Sequence, residues 1–251
     1  MTDVRFLNDA SELDYSLRVI AEVVGDVKTP SMKAAADVLA GLRRPAMTIF
    51  ETFNVFAICF CLNPDLLSQW RGYGGDQGFA IGFERDAFGD DCWLMDYDRE
   101  SSVRTVRELV ARFIAESDGL PPNTEVTEPS FFKVFHEFAW NLFTAALKMK
   151  HPSFREEEES RFVLLGKAGD LESVRFRPNR YGLVPYVPVS RLDGKWRSSE
   201  HEGPRDKLPI VSIKCGPTAH PAIAETGVKI CLQRSGYSNV DVSSSTIPLR
   251  T

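Results

Sequence analysis

The sequence predicts an α+β protein: a mixed, largely antiparallel sheet core with packed helices. Two observations carry this. Several segments repeat apolar residues at helical spacing, and others are short continuous apolar runs with an aromatic and β-branched bias. The two kinds are mixed along the chain without strict alternation. No composition shift or charge run marks a linker, so a single domain over residues 1–251 is expected.

The elements follow in order. Asp9 or Ser11 can cap a first helix. Leu13, Leu17, Ile20, Ala21 and Val24 form its apolar stripe, and Gly25 stands where a C-cap would. Residues 30–43 read as a second helix, with Met32, Ala35, Ala36 and Leu39 on one side. The run Val55 to Cys61 suits a buried strand. Asn63 is placed to cap a short helix with Pro64 at its first position. That helix carries Leu66, Leu67, Trp70 and Tyr73 and stops at Gly74-Gly75. Phe79 to Phe83 and Cys92 to Tyr97 read as strands. Helices follow on the stripes Val103, Val106, Val110, Phe113, Ile114 and Phe131, Phe135, Phe138, Leu142, Phe143, with a proline-bearing loop between them. The second half is strand-rich: 161–165, 173–177, 183–189 and 210–214. A helix over 219–234 and a strand over 240–243 close the chain. Residues 193–207 read as a polar surface excursion.

The composition is that of an ordinary globular protein, with 43% hydrophobic and 26% charged residues. The formal charge of −5 argues against a nucleic-acid-coating protein, and no strong nucleic-acid signature is seen. No apolar run is long enough to span a membrane, and the start lacks the pattern of a signal peptide. A cytoplasmic location is therefore expected. The five cysteines are scattered without a C-x-x-C pair, and the four histidines lack metal-ligand spacing, so no metal is expected. Cys59 and Cys61 are two apart in a strand run and point to one face.

Four segments can carry chemistry. The densest carboxylate run is Glu156-Glu157-Glu158-Glu159, followed by Ser160 and Arg161. It reads either as a solvated acidic turn or as a polar strand face. With a strand starting by Glu157, the side chains of Glu157, Glu159 and Arg161 share a face, where they can stabilise an oxocarbenium-like centre or act as a base. Trp70, Arg71 and Tyr73 read either as the stripe of a short helix or as an aromatic wall beside a phosphate-binding cation. Gly216-Pro217-Thr218 opens a helix, either as a plain turn or as an anion site. Asn8 and Asp9, with Glu12, can cap the first helix or line a cleft. The closing Ser245 to Arg250 reads by default as an exposed tail.

Taken in order, Phe6-Leu7-Asn8-Asp9, Cys59-Phe60-Cys61, Leu66 to Tyr73, Gly78 to Phe83, Lys150-His151-Pro152-Ser153-Phe154, Glu156-Glu157 to Arg161, Pro185-Tyr186, Gly216-Pro217 and Ser245 to Arg250 resemble the domain-of-unknown-function family 2971. The chain departs from its usual pattern at Glu158, where a basic residue is common, at Ser160, where Trp is common, and at Leu249, where an aromatic is common. Members usually open with a strand and helix carrying a His-Tyr-Thr-like motif. That element is expected to be missing, because Met1 lies only a few residues ahead of Asn8. The opening motif is similar to the first, His-containing motif of ADP-ribosyltransferase folds, and the Glu-x-Glu segment resembles their glutamate motif. The resemblance implies an ADP-ribosyltransferase-like fold with NAD as substrate and an unidentified macromolecular target, in a bacterial toxin or phage-defence setting. It implies catalytic roles for Glu159, Glu157 and Arg161. Trp70, Arg71, Tyr73, Asn8 and Asp9 would border the NAD pocket.

Two other readings stand beside that one. The first is a non-catalytic module that keeps the fold and binds a ligand or partner. The second is a nuclease holding Mg²⁺ with Asp9, Glu12, Glu157 and Glu159.

Overall fold

A computed structural model of the chain describes residues 1–7, 11–43, 54–75, 77–166, 173–179, 182–192, 195–198 and 207–248. Its first strand, β1, is Thr2–Asp3. The helices α1 (Ser11–Gly25) and α2 (Lys33–Leu42) follow. Strand β2 is Asn54–Cys61. A single α-turn, α3 (Leu67–Gln69), runs on as a wider π-turn over Trp70–Gly74. Then come β3 (Phe79–Phe83), β4 (Cys92–Leu94), α4 (Arg99–Asp118) and α5 (Pro129–Lys148). The second half holds β5 (Glu159–Gly166), β6 (Arg175–Asn179), β7 (Gly182–Tyr186), β8 (Val189–Leu192), β9 (Lys195–Ser198), β10 (Ile210–Cys215), α6 (Pro221–Arg234) and β11 (Asp241–Ser244). The fold is α+β.

The main sheet has six strands in the order β4-β5-β2-β1-β7-β6. All its pairs are antiparallel. A second sheet has the order β11-β10-β3, with β10 and β11 parallel, and β8 and β9 form a separate hairpin. The expected single strand over 183–189 is therefore two strands. Of the residues expected as a surface excursion, 195–198 form the β9 arm of that hairpin, and 193–194 and 199–206 lie outside the described residues.

The helix stripes read from the sequence form the core. Leu13, Leu17, Ile20 and Val24 of α1 are buried, as are Val106, Val110 and Phe113 of α4 and Phe131, Phe138, Leu142 and Phe143 of α5. The α4–α5 contact centres on Phe113 and Phe138, whose rings stack with centroids 4.2 Å apart. These helices cover one face of the main sheet through Val55 and Ala57 of β2 and Val163 of β5. The opposite face carries Phe60 and Phe162, which pack with Phe83 and Phe88 and so join the two sheets.

Two local expectations change. Asn63 does not cap a helix: its Oδ1 accepts from the Asp65 backbone N–H at 3.0 Å, a local turn that delays helix entry to Leu67. The closing segment is not a loose tail either. The Asp65 carboxylate accepts from Ser245 Oγ at 2.5 Å, from the Thr246 backbone N–H at 3.0 Å and from Trp70 Nε1 at 2.8 Å. Burial pushes the Asp65 carboxyl up, but these donors outweigh burial and hold it below its ordinary value. Arg250 lies outside the described residues.

Gly78 is required where the π-turn meets β3. A Cβ there would stand 2.4 Å from the Gly74 Cα, and the neighbour is backbone that cannot rotate away. Gly78→Ala is expected to lower stability by about 1–3 kcal/mol, the usual range for overpacking. A urea titration of the variant checks this, and an unchanged midpoint would show that the turn gives way freely.

Candidate functional site

The helical layer stops short of one end of β2 and β5, and a polar site begins there. Along the antiparallel ladder, Cys59 stands opposite Arg161 and Cys61 opposite Glu159. Alternation places all four on the face that carries Val55, Ala57 and Val163 deeper in. The cavity over this patch has a volume of about 380 Å³. Phe6 and Leu7, Gln69 and Tyr73, Lys150, and Arg177 are among the other residues that line it.

Lys150 joins the site from beyond the end of α5. The chain there is pinned by Asp96, whose N–H donates to the Lys148 carbonyl at 2.7 Å and whose carbonyl accepts from the Lys150 N–H at 2.9 Å. His151 then caps a 3₁₀ turn over Pro152–Glu157, its Nδ1 accepting from the Ser153 N–H. Glu158 is left-handed, at φ 42° and ψ 49°. For a residue other than glycine this costs roughly 1–2 kcal/mol. The reversal brings the two glutamates on either side of it to the same ammonium. Lys150 Nζ donates to Glu157 Oε2 at 2.5 Å and also to Glu159 Oε2.

Arg161 grips Glu159 from the other side. Its Nε donates to Oε1 at 2.5 Å and an Nη to Oε2 at 3.1 Å. The side chains of Lys150, Glu159 and Arg161 are 3%, 5% and 3% exposed, while Glu157 is 25% exposed. Burial alone would raise the Glu159 carboxyl. The Arg161 hydrogen bond, the Arg161 and Lys150 charges and a hydrogen bond from the Cys59 thiol outweigh burial and hold it below its ordinary value. Tyr97 supports the same residue from behind, its phenol oxygen accepting from the Glu159 backbone N–H at 2.8 Å.

The shared face expected for Glu157, Glu159 and Arg161 is met in part. Strand β5 begins at Glu159, so alternation aligns only Glu159 with Arg161. Glu157 joins them from the 3₁₀ turn, through Lys150. Tyr73 lines the cavity and is 63% exposed. Trp70 is buried and held by Asp65, Arg71 is exposed, and neither lines the cavity. Asn8 and Asp9 lie outside the described residues, and of the Glu12 side chain nothing is described. Gly216 donates its N–H to the Gly78 carbonyl at 2.9 Å, so the anion reading of that turn loses its first donor. Among the described residues no group of three His, Cys, Asp or Glu side chains is placed to hold a metal ion. No described helix is long and apolar enough to cross a membrane.

Residues 69–162 match the family model for a protein of unknown function, DUF2971. That match assigns the stretch to DUF2971. It takes in Gln69, Tyr73, Tyr97 and the whole Lys150–Glu157–Glu159–Arg161 network. Cys59, Cys61 and Arg177 of the cavity lie outside the DUF2971 stretch. No curated protein and no solved structure matches the chain.

Lys150, Tyr97, Gln69 and Arg177 were not singled out by composition or spacing. Lys150 alone had a signal. It stands directly after the α5 apolar stripe and before His151-Pro152, a polar residue at the point where a buried helix hands over to a turn.

Proposed function

We propose that the cavity binds a small anionic ligand of the nucleotide class, with NAD as the member that the family resemblance raises. One observation supports this most: a buried Lys150–Glu159–Arg161 network lies in the cavity, with the Arg177 cation and the Tyr73 ring on its walls. Cations meet phosphates, and an exposed aromatic meets a planar base.

The same layout supports ADP-ribosyltransferase-like chemistry, with a change of roles. Glu159 already accepts from Arg161, Lys150 and Cys59, so its lone pairs are taken up by the protein. It acts as the positioning group for the two cations. Glu157 is the more open carboxylate and is the one able to face a ribose. Cleavage of the bond between nicotinamide and ribose builds positive charge on the sugar, which a nearby carboxylate stabilises. The commitment of Glu159 also favours a second reading, a binding module without turnover.

Calorimetry with NAD, ADP-ribose and AMP, together with an assay for released nicotinamide, separates these. Binding weakened at least tenfold by Arg177→Ala or Tyr73→Ala is expected, with release abolished in Glu157→Gln. Binding without release selects the module. Absence of binding by all three nucleotides would sink the proposal.

A further inference from the structure

We propose that the outer edge of β3 is an interface between two copies of this chain, which pair β3 against β3 about a twofold axis. The inference rests on the second sheet alone and is independent of the nucleotide reading.

Among the described strands, the order β11-β10-β3 gives β3 a single neighbour. The register against β10 shows which backbone groups that neighbour uses. Gly216 donates its N–H to the Gly78 carbonyl, so these two form a hydrogen-bonded pair, and such pairs alternate along an antiparallel ladder. Ala80 and Gly82 therefore turn their N–H and C=O groups to β10. Phe79, Ile81 and Phe83 turn theirs outward. Among the described residues no backbone partner meets those outward groups.

The side chains mark this edge as one that is covered in the working protein. Soluble proteins commonly guard a free edge with charge or proline. The strand Phe79-Ala80-Ile81-Gly82-Phe83 has neither. Phe79 is 51% exposed and Ile81 49%. Phe83 leans on Phe60 and Phe88, with ring centroids 5.9 Å from each, so one end of the strand is anchored.

The pattern of β3 selects the occupant. It reads the same in both directions: Phe, a small residue, Ile, a small residue, Phe. A twofold contact sets residue i of one copy against residue j of the other, and j against i. Antiparallel pairing centred on Ile81 sets Ile81 against Ile81, Phe79 against Phe83 and Ala80 against Gly82. The outward residues then meet as hydrogen-bonded pairs, so the edge donors and acceptors of both copies are satisfied together. The large side chains meet on one face, where cross-strand apolar pairs stabilise a sheet. Glu84, the first charge past the strand, falls opposite Gly78 of the other copy. A strand from an unrelated protein gives no reason for the pattern to be symmetric. The result is a continuous sheet in the order β11-β10-β3-β3-β10-β11. A seam of five residues is small beside the roughly 800 Å² per partner of a stable interface, so association is expected to depend on concentration.

Sedimentation equilibrium of the full chain, from low micromolar concentration upward, tests this. A monomer–dimer equilibrium is expected. Ile81→Lys sets two ammonium groups against each other at the axis and should weaken association at least tenfold. Ile223→Lys, on an exposed position of α6, should leave it unchanged. Circular dichroism and a urea titration check that each variant folds. Should Ile81→Lys not fold, Ile81→Cys decides. The Cα atoms of a hydrogen-bonded antiparallel pair are ~5.5 Å apart, within disulfide range, so mild oxidation should link two copies through position 81. Peptide mass spectrometry locates the link. A chain that stays monomeric at every concentration overturns the proposal and leaves the edge to a strand of another protein. Equal weakening by Ile81→Lys and Ile223→Lys overturns it, as does a dimer that neither Ile81→Lys weakens nor position 81 links, because the copies then meet elsewhere.

Discussion

Glu159→Ala is expected to destabilise the fold by about 3–5 kcal/mol, the range for removing one partner of a buried ion pair. The reason is what the substitution leaves behind. Lys150 and Arg161 are each 3% exposed and lose the carboxylate between them. Lys150 keeps Glu157, but Arg161 is left with a buried charge that its main partner no longer balances. Glu157→Ala is expected to cost much less, since that side chain is partly open to water and Lys150 keeps Glu159. Chemical unfolding of both variants measures the difference, and equal losses would show that the network is not centred on Glu159.

Acid acts on the same group. The folded state holds the Glu159 carboxyl below its ordinary 4.5. In that window the unfolded chain binds the proton more readily, so stability falls as the pH falls. The contribution is complete above the ordinary value and is lost as the pH drops through the folded-state value. Unfolding midpoints taken from neutral pH down through the carboxylate range should show this slope, reduced in Glu159→Gln. An identical slope in that variant would assign the acid sensitivity to other carboxylates, Asp65 first among them, whose pKa is also depressed.

Trp70→Ala is expected to cost about 3–5 kcal/mol, the usual range for removing a large buried aromatic. Its ring lies against Gly74 and Gly216, where an added Cβ would come within 3.2 and 3.1 Å of it. Its Nε1 donates to Asp65, the carboxylate that also holds Ser245 and Thr246. Trp70→Phe keeps most of the packing and leaves Asp65 short of one donor, at about 1–3 kcal/mol. Trp70→Phe should leave nucleotide binding unchanged, whereas Tyr73→Ala should weaken it and leave the unfolding midpoint alone. Equal weakening by the two would put the Trp70 ring back in the site.

Trp70 and Tyr73 show where sequence reading stops. As sequence they are one motif, three residues apart on what the spacing predicts as a helix. The chain instead enters that turn late, after the Asn63 turn, and leaves it as a π-turn. One ring goes inward to Asp65 and the other outward to the cavity. The closing Ser245-Thr246 reads as an exposed tail because its partner, Asp65, lies 180 residues away. No local pattern can report a hydrogen bond at that distance.

The sequence by itself determined the long helices and the β2 strand, and which face of each is buried. Apolar spacing reports burial directly, so the stripes of α1, α4 and α5 and the run of β2 were legible. It also determined that Cys59 pairs in direction with Cys61, and Glu159 with Arg161, because alternation along a strand is a local property. Only the tertiary structure decided that β2 and β5 are neighbours in the register that sets Cys59 against Arg161 and Cys61 against Glu159. Only it brought Lys150 between Glu157 and Glu159, through a 3₁₀ turn and one left-handed residue whose dihedrals no periodicity encodes. The charges of that site were visible one by one along the chain. Their mutual burial depends on where the helical layer ends, and that is settled by packing.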